Sequence, residues 1–309
     1  MDTPGDGNPN KTPVKQSAAP NLNPPLAYEN KTFIESPDGR ILRILAEFEE
    51  PLARFRRQQI QDTVVFFGSA RYPDREKALA ALASLEQESQ ANPAIGSQTE
   101  FHARLHSAQA ALEMSRYYED ARQLAHRLTT WSSQIQSRRH RFVITTGGGP
   151  GIMEAANRGA HDAGGLTIGL NIRLPHEQRP NPYITPELCF NFHYFFMRKY
   201  WFAYLSKALV AFPGGFGTLD EFFEILTLAQ THKLAKKILI VLYGREYWNG
   251  VINFEKLVDS GSISATDLEL FRFADTPDEA YTHLHDGLIK YHSAGESRGE
   301  TPEIAKTLP

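Results

Sequence analysis

Five short apolar runs, each closing on small residues, set the rhythm of this chain: TVVFFGSA (63–70), RFVITTGGG (141–149), LTIGLN (166–171), ALVAFPGG (208–215) and KILIVLYG (237–244). None alternates strictly between apolar and polar positions, so each reads as a strand buried on both faces of a mainly parallel sheet. The intervening segments place apolar residues at helical spacing. A repeated strand–helix order of this kind predicts a doubly wound α/β fold with helices on both faces. Ahead of the first strand, DGRILRILAEFEEPLARFRR (38–57) carries Ile41, Ile44, Leu45, Phe48, Leu52 and Phe55 at roughly helical spacing, interrupted by Pro51. That pattern predicts a pair of short helices, an N-terminal helical extension docked on the main domain.

One crossover is too long. From Pro73 to about Ser137 the chain is charged, rich in Ala and Gln and helical in pattern, broken only at ANPAIGSQ. A single strand-to-strand crossover needs far less. The expected division is an inserted helical pair over about 74–113, followed by MSRYYEDARQLAHRLTTW (114–131) as the crossover helix proper. Residues 1–28 are rich in Pro, Asn and Gly and have no apolar core, so they are expected to be disordered. The same holds for a flexible tail over 293–309, leaving 29–292 as a single folded domain.

Composition narrows the class. With 309 residues, 41% hydrophobic and 22% charged, the chain can bury one large core, and its net charge of −3 gives no overall pull toward nucleic acid or membrane. Cys189 is the only cysteine, which rules out an intramolecular disulfide and a cysteine-built metal site and fits a cytosolic protein. The N-terminal segment has neither the apolar run of a signal peptide nor that of a spanning helix.

Three strand ends are marked by glycine: Gly68-Ser69, Gly147 to Gly151, and Gly214 to Thr218. Ligands of open parallel sheets bind beyond such ends, and glycines let backbone N–H groups approach an anion while a helix start adds its positive dipole end. Tight turns alone would explain one such run; two long ones point to a phosphate site. GGGPGIMEAAN lacks the dinucleotide pattern G-x-G-x-x-G, and the following strand ends at Asn171 rather than at an acidic residue for a ribose hydroxyl. No G-K-[ST] follows either glycine run, so a P-loop triphosphate site is unsupported. A mononucleotide or a sugar phosphate remains.

Pro213-Gly214-Gly215-Phe216-Gly217-Thr218-Leu219-Asp220-Glu221 matches P-G-G-x-G-T-x-x-E, and Met197-Arg198-Lys199 lies upstream in FFMRKYWF. With GSAR (68–71) and GGGPGIMEAANRGAHDAGG (147–165), these motifs resemble the LOG (Lonely Guy) family of cytokinin riboside 5'-monophosphate phosphoribohydrolases, over about Thr32 to Tyr291. The resemblance implies a Rossmann-like fold, a homodimer with sites near the interface, and cleavage of the N-glycosidic bond of a nucleoside 5'-monophosphate to free base and ribose 5-phosphate, with neither cofactor nor metal. By position it implies that Arg198 and Glu221 are catalytic, that Gly215, Gly217 and Thr218 form the phosphate turn beside Gly214, and that Gly68, Ser69, Gly147, Gly148 and Gly149 line the same cleft. The second glycine run is one residue shorter than the G-G-G-x-x-G-x-M-G of short plant-like enzymes, which also lack the insertion and the N-terminal extension. The chain therefore resembles a longer bacterial branch, with AMP or a related purine monophosphate as the expected substrate. A second reading is a binding protein of the same fold, such as a molybdenum-cofactor carrier, with the chemistry lost. A decarboxylase would need a pyridoxal-phosphate lysine in its own motif context, which the sequence does not suggest.

Each candidate has a plainer role beside the functional one. Thr218-x-x-Glu221 also reads as a helix capping box. Arg198 shares a helix face with Trp201, Phe202 and Leu205, company in which a guanidinium needs an anion or a route to water. Lys199 is divided between the site and the surface, and Glu154, in the first turn after the glycines, between the ribose hydroxyls and the helix dipole. His161 and His193 read as structural or surface residues. The aromatic cluster from Tyr194 to Tyr204 reads as core or dimer interface.

Overall fold

The computed structural model describes residues 23–92, 98–174, 179–234 and 236–292. Of the segment 1–28 expected to be disordered, residues 1–22 lie outside the described residues, as does the expected tail over 293–309; residues 23–28 are described and exposed, and they lead into a turn in which Glu29 N donates to Leu26 O at 2.8 Å. The described chain falls into two compact units, divided between Leu45 and Ala46. In the first, helix α1 (Lys31–Glu35) is capped by the Asn30 side chain, which accepts from Phe33 N at 3.2 Å. The Arg43 guanidinium then donates to the carbonyls of Ser36 and Ile34.

The second unit is built on a seven-stranded sheet: β1 (Thr63–Phe67), β2 (Val143–Thr146), β3 (Thr167–Ile172), β4 (Cys189–Phe192), β5 (Ser206–Ala211), β6 (Leu239–Tyr243) and β7 (Phe271–Ala274). The strand order is β4-β3-β2-β1-β5-β6-β7, and every adjacent pair is parallel. β1, β2, β3, β5 and β6 are the five runs read from the sequence. Strands β4 (CFNF) and β7 (FRFA) were not anticipated; they form the two edges, are four residues long and are only partly buried. The doubly wound arrangement is borne out. On one face, Val64, Phe66, Ile144 and Val210 pack with residues of α4 (Thr99–Ser132), α5 (Ile152–Asp162) and α10 (Pro277–His292). On the other, Phe67 meets Phe202 of α6 (Phe195–Tyr204) edge to face at 4.7 Å.

Two helical expectations are corrected. Arg40–Arg57 is one helix, α2, with Pro51 inside it, rather than two short helices. Proline removes the N–H that would bond the carbonyl four residues back, that of Glu47. That carbonyl instead accepts the Trp201 indole N–H at 2.8 Å, so the helix continues through the proline with no orphaned group. Likewise α4 is one helix of 34 residues, so the second inserted helix and the crossover helix are the same element. No Gly or Pro interrupts 99–132, and only the break after α3 (Arg75–Ala91) separates helices. The C-terminal half of α4 buries Tyr117, Tyr118, Ala121, Leu124, Ala125 and Leu128, whereas Phe101 alone is buried in its first four turns.

Candidate active site

Strand order reverses between β1 and β5, which are neighbours in the sheet although four strands apart in the chain. In open α/β sheets this switch point opens a crevice beyond the carboxyl ends of the strands. All three glycine-marked turns lie there. Backbone bonds tie them together: Ser69 N donates to Pro213 O at 3.0 Å, and Ile152 N donates to Ser69 O at 3.0 Å. The middle turn is also fixed from below. Gly148 adopts φ +77°, donates to Thr146 Oγ1 at 2.9 Å, and its carbonyl accepts from Asn181 N at 2.8 Å. Asn181 Nδ2 reaches Gly149 O at 3.1 Å and Asn157 Oδ1 at 2.9 Å, and Thr146 Oγ1 donates to Asn157 at 2.6 Å. Thr146, Asn157 and Asn181 are buried residues that sequence reading missed.

The last turn separates two kinds of glycine. At Gly214 a Cβ would stand 2.2 Å from Thr218 Oγ1 and 2.9 Å from Ser69 N, so the fold itself demands glycine. At Gly215 and Gly217 a Cβ would meet nothing within 4 Å, and neither has a positive φ. Packing does not explain these two. They bare the N-terminus of α7 (Phe216–Gln230), where backbone N–H groups and the helix dipole favour an anion. The helix starts earlier than a Thr218 cap requires: Gly215 is the N-cap and no side chain caps it. Thr218 is therefore the third helical residue, and the capping-box alternative for Glu221 is removed.

Glu221, in the second turn of α7, is 3% exposed. Its Oε1 is 3.7 Å from Arg198 Nη2, too far for a hydrogen bond, and both Glu221 Oε1 and Arg198 Nε are buried without a hydrogen-bond partner. Arg198 extends from α6 between the rings of Phe195 and Phe202, with Cζ 5.4 and 5.5 Å from their centroids. Its Nη1 lies 3.9 Å from where a Gly147 Cβ would stand, so the guanidinium spans the middle glycine turn and Glu221. The start of α6 is held by Glu47, whose carboxylate accepts from His193 N at 2.7 Å and Tyr194 N at 3.2 Å. Burial raises the Glu221 pKa to about 7, with the Arg198 and Lys199 charges opposing. Burial likewise lowers that of Arg198, with Glu221 opposing. Buried polar atoms left unmatched cost about 1–3 kcal/mol each, and in native folds they mark places where a ligand or a chemical step supplies the partner.

The remaining candidates sit around this pair. Lys199 Nζ is held by Asp220 and Glu224, at 2.8 Å from each, and does not join Arg198. Glu154 accepts from Tyr118 Oη at 3.1 Å and lies 3.7 Å from Lys77 Nζ, so α3 and α4 hold it from the insertion side. Tyr247, another residue missed in the sequence, donates to Gly214 O at 2.9 Å. His161 is exposed, and His193 enters through its backbone. Among the described residues no group of three or more His, Cys, Asp or Glu side chains is placed to hold a metal ion. Among them, too, no helix is long and apolar enough to cross a membrane.

The family model described as "Possible lysine decarboxylase" matches residues 153–284. A cytokinin riboside 5'-monophosphate phosphoribohydrolase of Arabidopsis thaliana is 31% identical over 147 residues, 47% of this chain and 66% of its own length. A second protein of that name and organism is 29% identical over 170 residues, 52% of this chain and 72% of its own. The chain thus spans just under two thirds of the first of these relatives. Among solved structures, the Moco carrier protein of Chlamydomonas reinhardtii is 25% identical, with a TM-score of 0.38 over 57% of this chain and 89% of its own.

Proposed function

The chain belongs to the LOG family, and from that premise we propose that it is a nucleoside 5'-monophosphate phosphoribohydrolase acting on AMP or a related purine nucleotide. Water adds to the anomeric carbon of the ribose, the N-glycosidic bond breaks, and the base leaves with a proton while ribose 5-phosphate remains. The observation that carries this reading is the Arg198–Glu221 pair at the switch point of the sheet, in which Glu221 Oε1 and Arg198 Nε are buried without hydrogen-bond partners. In this account the α7 N-terminus, bared by Gly215 and Gly217, takes the 5'-phosphate, with Gly68, Ser69 and the turn from Gly147 to Gly149 walling the cleft. Glu221, as a carboxylate, faces the ribose, where it stabilises the cationic transition state and orients water. Arg198 donates to the substrate beside it, and its charge opposes the burial that favours the protonated form of Glu221. Phosphate binding away from the bond that breaks supplies energy for that step.

The expected result is release of free base from AMP with little release from adenosine, followed by chromatography. Equal rates on the two would contradict the phosphate assignment. The same reading includes a homodimer. Phe195, Phe196 and Phe216 are 51%, 54% and 92% exposed at the first turns of α6 and α7, beside the site, and a second copy of the chain would cover them. Light scattering at micromolar concentration should give twice the chain mass; a monomer would count against it.

A further inference from the structure

A side-chain bond from the neighbouring helix holds the glycine turn after β5. Helix α8 (Arg245–Val251) follows β6 through Gly244, whose φ of +86° lies in the left-handed region, and it is pinned at both ends. Arg245 N donates to Asp275 Oδ1 at 2.7 Å. The Trp248 ring is fully buried, and its indole N–H reaches Ala211 O at 3.2 Å and Tyr243 O at 3.0 Å. Tyr247, between these anchors, donates its hydroxyl to Gly214 O at 2.9 Å, three residues beyond the carbonyl of β5 that Trp248 holds. Helix α8 therefore grips both the end of β5 and the turn that leaves it. Burial raises the phenol pKa of Tyr247, with the Gly214 bond opposing, so the hydroxyl keeps its proton and remains a donor near neutrality.

What that bond fixes follows from the peptide plane. The peptide bonds of the described residues are trans, and in a trans peptide the C=O and the next N–H point in opposite directions. Holding Gly214 O from α8 thus aims the Gly215 N–H away from α8. Neither Gly215 nor Gly217 has a side chain to restrict its rotation, and a Cβ at either would meet nothing within 4 Å, so their own packing does not set that direction. Gly215 is the exposed N-cap of α7, and its N–H is one of those at a helix start that have no intrahelical partner. We infer that Tyr247 is a positioning residue for the phosphate turn: through Gly214 O it fixes the Gly215 N–H as a donor to a phosphate monoester. The inference rests on the phosphate assignment proposed above and adds to it the residue that holds the donor in place. A preset donor lowers the entropy an anion must spend in ordering a glycine-rich turn, so loss of the hydroxyl weakens binding.

The test is Tyr247→Phe, which keeps the ring and removes the hydroxyl. Calorimetric titration with ribose 5-phosphate should give a Kd about three- to tenfold above that of the parent, the range expected for one lost hydrogen bond. KM for AMP should rise by the same factor with kcat within about twofold, the signature of binding lost equally from the ground and transition states. The melting temperature should stay within about 4 °C of the parent, which shows that the variant is folded. A parental Kd in the folded variant, or a fall in kcat with KM unchanged, would each overturn the inference while leaving the catalytic reading in place. A parent that binds ribose 5-phosphate but does not cleave AMP would remove the catalytic reading, and the ratio of the two Kd values would still decide the role of Tyr247. A parent that binds no ribose 5-phosphate would overturn both.

Discussion

Two arginine–carboxylate pairs lie at opposite ends of the same sheet, and they differ in how completely they are satisfied. Asp62 and Arg141 are both buried; the carboxylate takes bonds on both oxygens, and the guanidinium passes a further bond to His292 O. Glu221 is likewise buried and Arg198 half-buried, yet they stand 3.7 Å apart with atoms that bond to nothing. Burial raises both carboxyl pKa values. For Asp62 the Arg141 charge pulls back first and hydrogen bonds from Phe142 N and Arg141 add to it, whereas Arg198 opposes the shift of Glu221 by charge alone. The first pair ties β1 to the residues entering β2. The second is held apart on separate helices, α6 and α7, and keeps its bonding capacity for something else. Satisfaction, more than the presence of an ion pair, separates the structural pair from the one proposed as catalytic.

The difference can be broken at either end. Asp62→Asn leaves Arg141 buried opposite a neutral group and should destabilise the fold by about 3–5 kcal/mol, read as a shift in the denaturant midpoint. The turnover of the molecules that remain folded should stay near parental. A variant as stable as the parent would mean that the Asp62 end is not a structural tie.

A smaller effect is expected from pH. Because the Glu221 carboxyl titrates at about 7 and acts when ionised, kcat/KM for AMP should climb about tenfold per pH unit below pH 7 and level off above it. A flat profile between pH 5.5 and 8 would show that this carboxylate does not control the rate.

Much of this was legible in the chain. The five interior strands announce themselves because burial on both faces requires continuous apolar runs, and Arg198, Glu221 and the glycine turns stand out by motif. β4 and β7 did not, because an edge strand is buried on one side and needs only CFNF or FRFA. The continuity of α2 through Pro51 depends on Trp201, a partner 154 positions from Glu47, which no local pattern reveals. The same limit hid the Thr146–Asn157–Asn181 network, whose members meet only once β2, α5 and the segment after β3 have packed together. It also left Lys199 undecided until Asp220 and Glu224 were seen to hold it.

The central claim, that the unsatisfied pair is the catalytic one, is tested most directly by the turnover of AMP in Glu221→Gln. The variant keeps side-chain length and removes the charge. It should fold, and at pH 8 it should melt no lower than the parent. Glu221 holds a proton in the folded chain up to about pH 7 that the unfolded chain gives up near pH 4.5, so its stabilising contribution is lost as pH rises through that window. The account predicts that release of adenine falls at least about a hundredfold in this folded variant, the low end of what a positioned acid or base contributes. Turnover close to that of the parent would contradict it.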